Sequence, residues 1–245
     1  MIKNIKFLHF EALESTNQKL YQLCDYRVRS WMCVSTDIQT SGKGYSDNSW
    51  VSEPYKNATF SFSIHQSLLI NEEMPYFNMW VASQIVEFLT ICQVEARVKW
   101  PNDIILNSKK IGGILIESKL IGTKTKFSVI GIGINIMQKN FENLNHASSI
   151  VNEYPGFKIE IHQFIQDLMH HFYQQYNLIE DKRFDKILNL YNRYLFRKDQ
   201  VSVFEFNEKK INGIIKYVKP DGNIVIELEG IGEKTFMHKQ IQLLY

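Results

Sequence analysis

Cysteine is scarce in this chain: three residues in 245, Cys24, Cys33 and Cys92, with no paired spacing. That excludes a disulfide framework or a cysteine zinc site, and reduced thiols point to a cytoplasmic protein. A charge excess is missing as well. Lys and Arg number 28 against 26 Asp and Glu, so the net charge is +2, which gives no general pull toward nucleic acid or membrane; any anion site must be local. No run of about 18 apolar residues occurs, and residues 1–10 lack the apolar core and cleavage site of a secretory leader. Neither a repeat nor a low-complexity tract interrupts a composition, 44% hydrophobic and 22% charged, that is ordinary for a folded globular protein. The stretch before Ser15 is too short for a helix-turn-helix, so no DNA partner is expected.

Ser15 and Gln18 have the spacing of a capping box and predict a helix over 15–25. Strands are expected at 34–37 and 59–65, the second half-buried, with Phe60, Phe62 and Ile64 inward and small or polar residues outward. Pro75 suits a first helical turn, and Phe77, Trp80, Val81, Ile85, Phe88 and Leu89 fall near helical spacing through Cys92. Strands follow at 98–100, 104–106, 111–119 and 126–136, with a short turn at Ser108 and Lys109 that implies an antiparallel hairpin. Helices at 161–178 and 182–196 precede strands at 201–206, 211–218 and 224–228. The helices are segregated from a mixed, mostly antiparallel sheet, which gives an α+β fold. The boundaries predict a large domain over 1–197 and a small β barrel over 198–245.

Four stretches carry candidate chemistry. QTSGKGYSDNSW at 39–50 is a polar loop in which Gly42 and Gly44 permit close backbone approach and Lys43 supplies a cation. It lacks the Walker A spacing. KWPND at 99–103 puts Lys99 at the end of a short apolar strand, before a turn stiffened by Pro101 in which Asn102 and Asp103 can bond the backbone. KIGGILIE at 110–117 interrupts an apolar strand with Gly112 and Gly113, as where a ligand or another backbone comes close. GIGIN at 131–135 lacks the third glycine and following helix of a dinucleotide fingerprint.

Taken in this order and together with STNQ at 15–18, these motifs resemble the biotin protein ligase family over nearly the whole chain, in its type without an N-terminal DNA-binding domain. The resemblance implies a catalytic domain like that of class II aminoacyl-tRNA synthetases and lipoate ligases, followed by an SH3-like barrel. It implies that Ser15, Thr16, Asn17, Gln39, Lys43, Gly44, Tyr45, Lys99, Gly112 and Gly113 bind biotin. It likewise implies that Lys43, Asn48, Trp50, Asn102, Lys110 and Asn135 bind nucleotide, with Lys99 the catalytic cation. The substrates would be biotin and ATP with Mg2+, with no dedicated metal cage in the sequence. The protein partner would be a biotin carboxyl carrier domain, and an exposed strand would equally serve a homodimer. One departure stands out: the family loop often carries arginines where Lys43, Tyr45 and Asn48 stand here, and a glycine at Asp47. That lowers the loop's charge and leaves stacking by Tyr45 as a substitute. The alternatives are a lipoate ligase, whose usual motifs lack KWPND, and a catalytically weak biotin-binding module.

Overall fold

The strand that carries the middle of the sheet, Asn57–Ile64, is buried at every position, although its sequence alternates large apolar with small polar residues. A computed structural model describes residues 5–24, 31–45, 48–64, 71–121, 124–142 and 144–245; Asp25, Asp47 and His65 lie outside them. The first unit runs β1 (Ile5–Leu13), α1 (Thr16–Leu23), β2 (Trp31–Gln39), β3 (Asn57–Ile64), α2 (Met74–Ile91), β4 (Arg97–Lys99), β5 (Asp103–Leu106), β6 (Lys109–Ile121) and β7 (Lys124–Asn135). Helices α3 (Ile150–Glu153), α4 (Ile161–Gln175), α5 (Asn177–Glu180) and α6 (Phe184–Tyr194) follow. The chain ends with β8 (Val201–Phe206), β9 (Lys209–Val218), β10 (Ile224–Leu228), β11 (Gly232–Phe236) and β12 (Gln242–Leu244).

Seven strands form one mixed sheet in the order β1-β2-β3-β7-β6-β5-β4. Among the described residues β1 and β2 are the one strand pair of this sheet that runs parallel, which needs the crossover that α1 supplies. The large core lies on one face, where Phe60, Phe62 and Ile64 of β3 meet Trp80 and Ile85 of α2 and Phe164, Leu168 and Phe172 of α4. Each such side chain contributes about 1.5–3 kcal/mol by leaving water. On the other face Leu20 of α1 covers Val34, Phe127 and Val129. This second cover is why β3 is not half-exposed as its pattern suggests: Thr59, Ser61 and Ser63 face α1 and a cavity rather than solvent.

Ser15 caps α1 as expected, its Oγ accepting from the Gln18 N–H. The β5–β6 turn has Asn107 and Ser108 at φ 48° and 62°, the two-residue geometry that suits an antiparallel hairpin. The helix expected over 161–178 breaks after Gln175 into a separate short turn. The terminal segment is a five-stranded antiparallel sheet in the order β11-β10-β9-β8-β12, so the barrel expectation is met as far as that sheet. Its Phe204, Ile215, Val218 and Ile224 join the main core. Asn192 ties α6 to it twice, accepting from Val218 N–H at 2.6 Å and donating to Val218 O at 3.0 Å. Among the described residues no helix is long and apolar enough to cross a membrane.

Candidate functional site

The open face of the sheet is floored by small residues in register. Thr59 lies opposite Gly133, which also faces Gly113, and Ser61 lies opposite Gly131, which faces Leu115. Over this floor is a cavity of about 670 Å³, lined by Thr16, Asn17, Gln39, Lys43, Gly44, Tyr45, Asn48, Trp50, Lys99, Asn102, Lys110 and Gly113 among others. Twelve residues expected to bind ligand therefore meet in one place. Ser15, Gly112 and Asn135 do not line it. Ser15 is the helix cap, Gly112 packs against the Gly133 carbonyl, and Asn135 is buried at the end of β7 donating to Ser148 O at 3.0 Å.

Close approach explains the glycines. A Cβ on Gly131 would overlap the Asn17 amide, and one on Gly133 would overlap the Trp50 indole. Trp50 is delivered by the 39–50 loop, which closes on itself through Gly44 N–H to Asn48 O at 2.7 Å and Trp50 N–H to Gly42 O at 2.9 Å. A side chain on Gly42 would strike the Trp50 carbonyl, so loop closure requires glycine there. Trp50 Nε1 is buried and, among the described residues, has no hydrogen-bond partner.

At the α1 end the polar groups are chained together. Gln39 Oε1 accepts from the Thr16 N–H at 2.9 Å and from Thr16 Oγ1 at 3.3 Å. Ser61 Oγ lies 2.7 Å from Thr16 Oγ1 and donates to Asn17 Oδ1 at 2.5 Å, while Asn17 Nδ2 donates to Glu117 Oε2 at 2.7 Å. Such a chain fixes amide and hydroxyl orientations before a ligand arrives. Ser61 escaped the sequence reading because a serine between two phenylalanines reads as the solvent side of a strand.

At the other end the KWPND turn, with a cis Trp100–Pro101 bond, is clamped from both sides. Tyr191 donates its hydroxyl to Pro101 O at 2.8 Å, and Trp100 Nε1 donates to Gly222 O at 2.8 Å. Asn102 bonds the backbone as expected, donating to Ile114 O at 2.7 Å. Asp103 does otherwise: its carboxylate pairs with Lys110 Nζ at 2.6 Å and lies 3.7 Å from Lys99 Nζ. Lys99 is 24% exposed and rests over the Tyr245 ring, 5.3 Å from its centroid. Lys43, Lys99 and Lys110 against Asp103 leave the cavity with a positive excess that the overall charge does not advertise.

The terminal sheet closes this end. His238 lines the cavity and sits edge-on to Tyr45 at 4.8 Å and to Trp100 at 5.7 Å. No motif announces His238; it arrives through tertiary packing. Burial first, then the Lys239 and Lys99 cations, hold its imidazole below the ordinary histidine value. A histidine that resists protonation in the folded state makes the unfolded state take up the proton first, so stability is lost as pH falls from about 6.5 toward the folded value. We expect His238→Asn to lessen the drop in Tm between about pH 7 and 5.5; an identical drop in both proteins would remove this assignment.

The site is thus a glycine-floored, lysine-rimmed cavity on an antiparallel-rich sheet, with a hydrogen-bonded polar chain at one end. The model of the biotin/lipoate A/B protein ligase family matches residues 10–135, and the chain belongs to that family. The bifunctional ligase/repressor of Bacillus subtilis is 26% identical over 191 residues, 76% of this chain and 58% of that protein. The corresponding protein of Escherichia coli is 25% identical over 242 residues, 95% of this chain and 72% of that one. The chain therefore spans little more than half the length of its Bacillus relative. The structure of the Aquifex aeolicus biotin protein ligase in complex with biotin and ATP superposes with a TM-score of 0.79 at 20% identity, covering 98% of each chain. This last likeness is one of fold.

Proposed function

We propose that the protein is an ATP-dependent biotin protein ligase, in which the biotin carboxylate attacks the α-phosphorus of ATP, releasing pyrophosphate. The amine of a carrier lysine then attacks the mixed anhydride and AMP leaves. The observation that carries this reading is the linear arrangement on the floor. Asn17 and its hydrogen-bonded chain lie at Gly131, and two residues on, roughly 7 Å along β7, Trp50 lies at Gly133 with Lys110 beside the facing Gly113. A bicyclic head with hydrogen-bonding groups fits the first place and a carboxylate on a short chain reaches the second.

Bringing two anions together is the electrostatic problem, and fixed ammonium groups address it. Asp103 holds Lys110 at 2.6 Å and Lys99 only at 3.7 Å; we assign Lys99, rather than Lys43 on the loop, to meet the incoming carboxylate and phosphate, because it stands on a clamped turn. ATP enters as its magnesium complex, and since the carboxylate at this end, Asp103, is already paired with lysine, the phosphates carry the metal. We read residues 198–245 as a second domain that completes the site through His238 and Gln242. A soluble test follows: labelled biotin, MgATP and a biotin carboxyl carrier domain should give stable label on that domain, and excess lipoate should not compete. Label that lipoate displaces would instead favour a lipoate ligase.

The loop at 39–50 lacks the arginines of its relatives' usual pattern, and Tyr45 packs against His238 in their stead. An edge-to-face aromatic pair adds about 0.5–1.5 kcal/mol. Tyr45→Ala is therefore expected to speed dissociation of the acyl-adenylate by roughly 2- to 10-fold. Equal dissociation rates in wild type and variant would show that Tyr45 does not help retain the intermediate.

A further inference from the structure

Away from the cavity, on the edge formed by β1 and β2, the side chains of His9, Asp37 and His162 converge. Among the described residues they form a group whose ligand atoms lie within 4.8 Å of one another, and none of the three lines the cavity. His9 Nε2 is 3.0 Å from Asp37 Oδ2, and His162 Nε2 is 3.2 Å from Asp37 Oδ1. The two rings meet edge-on with centroids 4.3 Å apart.

The outer partners of the two rings decide what can lie between them. His9 Nδ1 is 3.1 Å from Ser35 Oγ, and His162 Nδ1 is 3.4 Å from the Glu160 carboxylate. A neutral imidazole has a single N–H. His162 Nε2 is the nitrogen hydrogen-bonded to Asp37, whereas Glu160 meets Nδ1 at 3.4 Å with its oxygens already accepting from the His162 and Gln163 N–H groups. A cation would take the place of the Nε2 proton, the ring N–H then turning to Glu160. The two imidazole-to-carboxylate distances, 3.0 and 3.2 Å, lie near the roughly 3.3 Å ligand-to-ligand edge of a tetrahedral ion with bonds of about 2.0–2.1 Å. A histidine whose second nitrogen is held by a carboxylate or hydroxyl is the usual oriented metal ligand.

We propose that His9 Nε2, His162 Nε2 and the Asp37 carboxylate bind one divalent transition-metal ion of the zinc class, with the outward position left to water. Two imidazoles and one carboxylate suit zinc, cobalt or nickel far better than magnesium or calcium. Both rings are partly exposed, at 40% and 46%, so an ion has access. Lys158 borders the adjoining groove with Asp37, Glu160 and His162, and the neighbouring carboxylates outweigh it. The site joins three elements: β1 at the sheet edge, β2, and the start of α4. It acts as a clip that holds the edge strand and helix together, independent of the nucleotide's magnesium.

The test uses the full chain, stripped with a chelator and titrated with Zn2+ against a chromophoric competitor, with Co2+ as spectroscopic probe. Wild type should bind one equivalent that His9→Gln and His162→Gln each lose. Glu160→Gln should weaken binding by on the order of 10-fold through loss of the outer partner. Bound Co2+ should show the visible absorption of a four-coordinate site in wild type only, and Zn2+ should raise Tm in wild type but not in the histidine variants. Biotin-dependent pyrophosphate exchange unchanged in the variants shows that they fold. No bound equivalent in wild type, or unaltered stoichiometry and affinity in either histidine variant, overturns the proposal and leaves a hydrogen-bonded His9–Asp37–His162 cluster.

Discussion

Lys99→Ala is expected to slow acyl-adenylate formation by a factor on the order of 10² to 10³, the loss seen when one pre-oriented electrostatic donor is removed. The reasoning is positional. Lys99 follows Val98, which is fully buried, and precedes a turn clamped by Tyr191 and Trp100, so the stem of its side chain begins from rigid backbone. Its ammonium lies over Tyr245 and at the outer limit of pairing with Asp103, whereas Lys110 holds that carboxylate at 2.6 Å. The looser pairing of Lys99 is exchanged for a substrate anion more readily than the close one of Lys110. The loss should fall on the rate of pyrophosphate exchange at saturating biotin more than on the KM for biotin, because the charge it meets grows in the transition state. Near-normal exchange in the variant would remove Lys99 from its assigned role.

The second large effect is expected from one methyl group. Gly133→Ala places a Cβ within the Trp50 indole, so the ring must leave the floor and take the 39–50 loop with it. Displacement of a positioning element by about 1 Å costs on the order of 10² in rate, and the overpacking itself costs about 1–3 kcal/mol of stability. Gly156→Ala is the control, since nothing lies within 4 Å of the added carbon there and activity should be unchanged. Full activity in Gly133→Ala, measured by the same exchange assay, would mean that Trp50 does not define the site.

Much of this was readable in the chain because the site is built from contiguous motifs whose residues point where strand and turn geometry send them. The loop at 39–50, the KWPND turn and the glycines of β6 and β7 supply most of the lining, and α2 and the β5–β6 hairpin follow from periodicity and turn chemistry. What stayed hidden depends on partners distant in sequence. Strand β1 is an edge strand with mostly exposed or half-exposed residues, so its alternation is blurred, and its parallel partner is reached only across α1. Ser61 is polar and yet fully buried, because the face it occupies is covered by α1, whose Thr16 and Asn17 it bonds, rather than by water. Strands β11 and β12 are short and largely exposed, too weakly patterned to show, and with them the sequence hid His238 and Gln242. Asn135 and Ser15 illustrate the opposite case: each belongs to a matching motif, and each supports the frame from outside the cavity's lining.

The account rests on activation of a carboxylate within this cavity, and biotin-dependent exchange of labelled pyrophosphate into ATP tests that step without any carrier protein. The account predicts exchange that requires both biotin and magnesium and fails in Lys99→Ala. Exchange that is absent with biotin in the wild-type protein, although biotin binds, would contradict it.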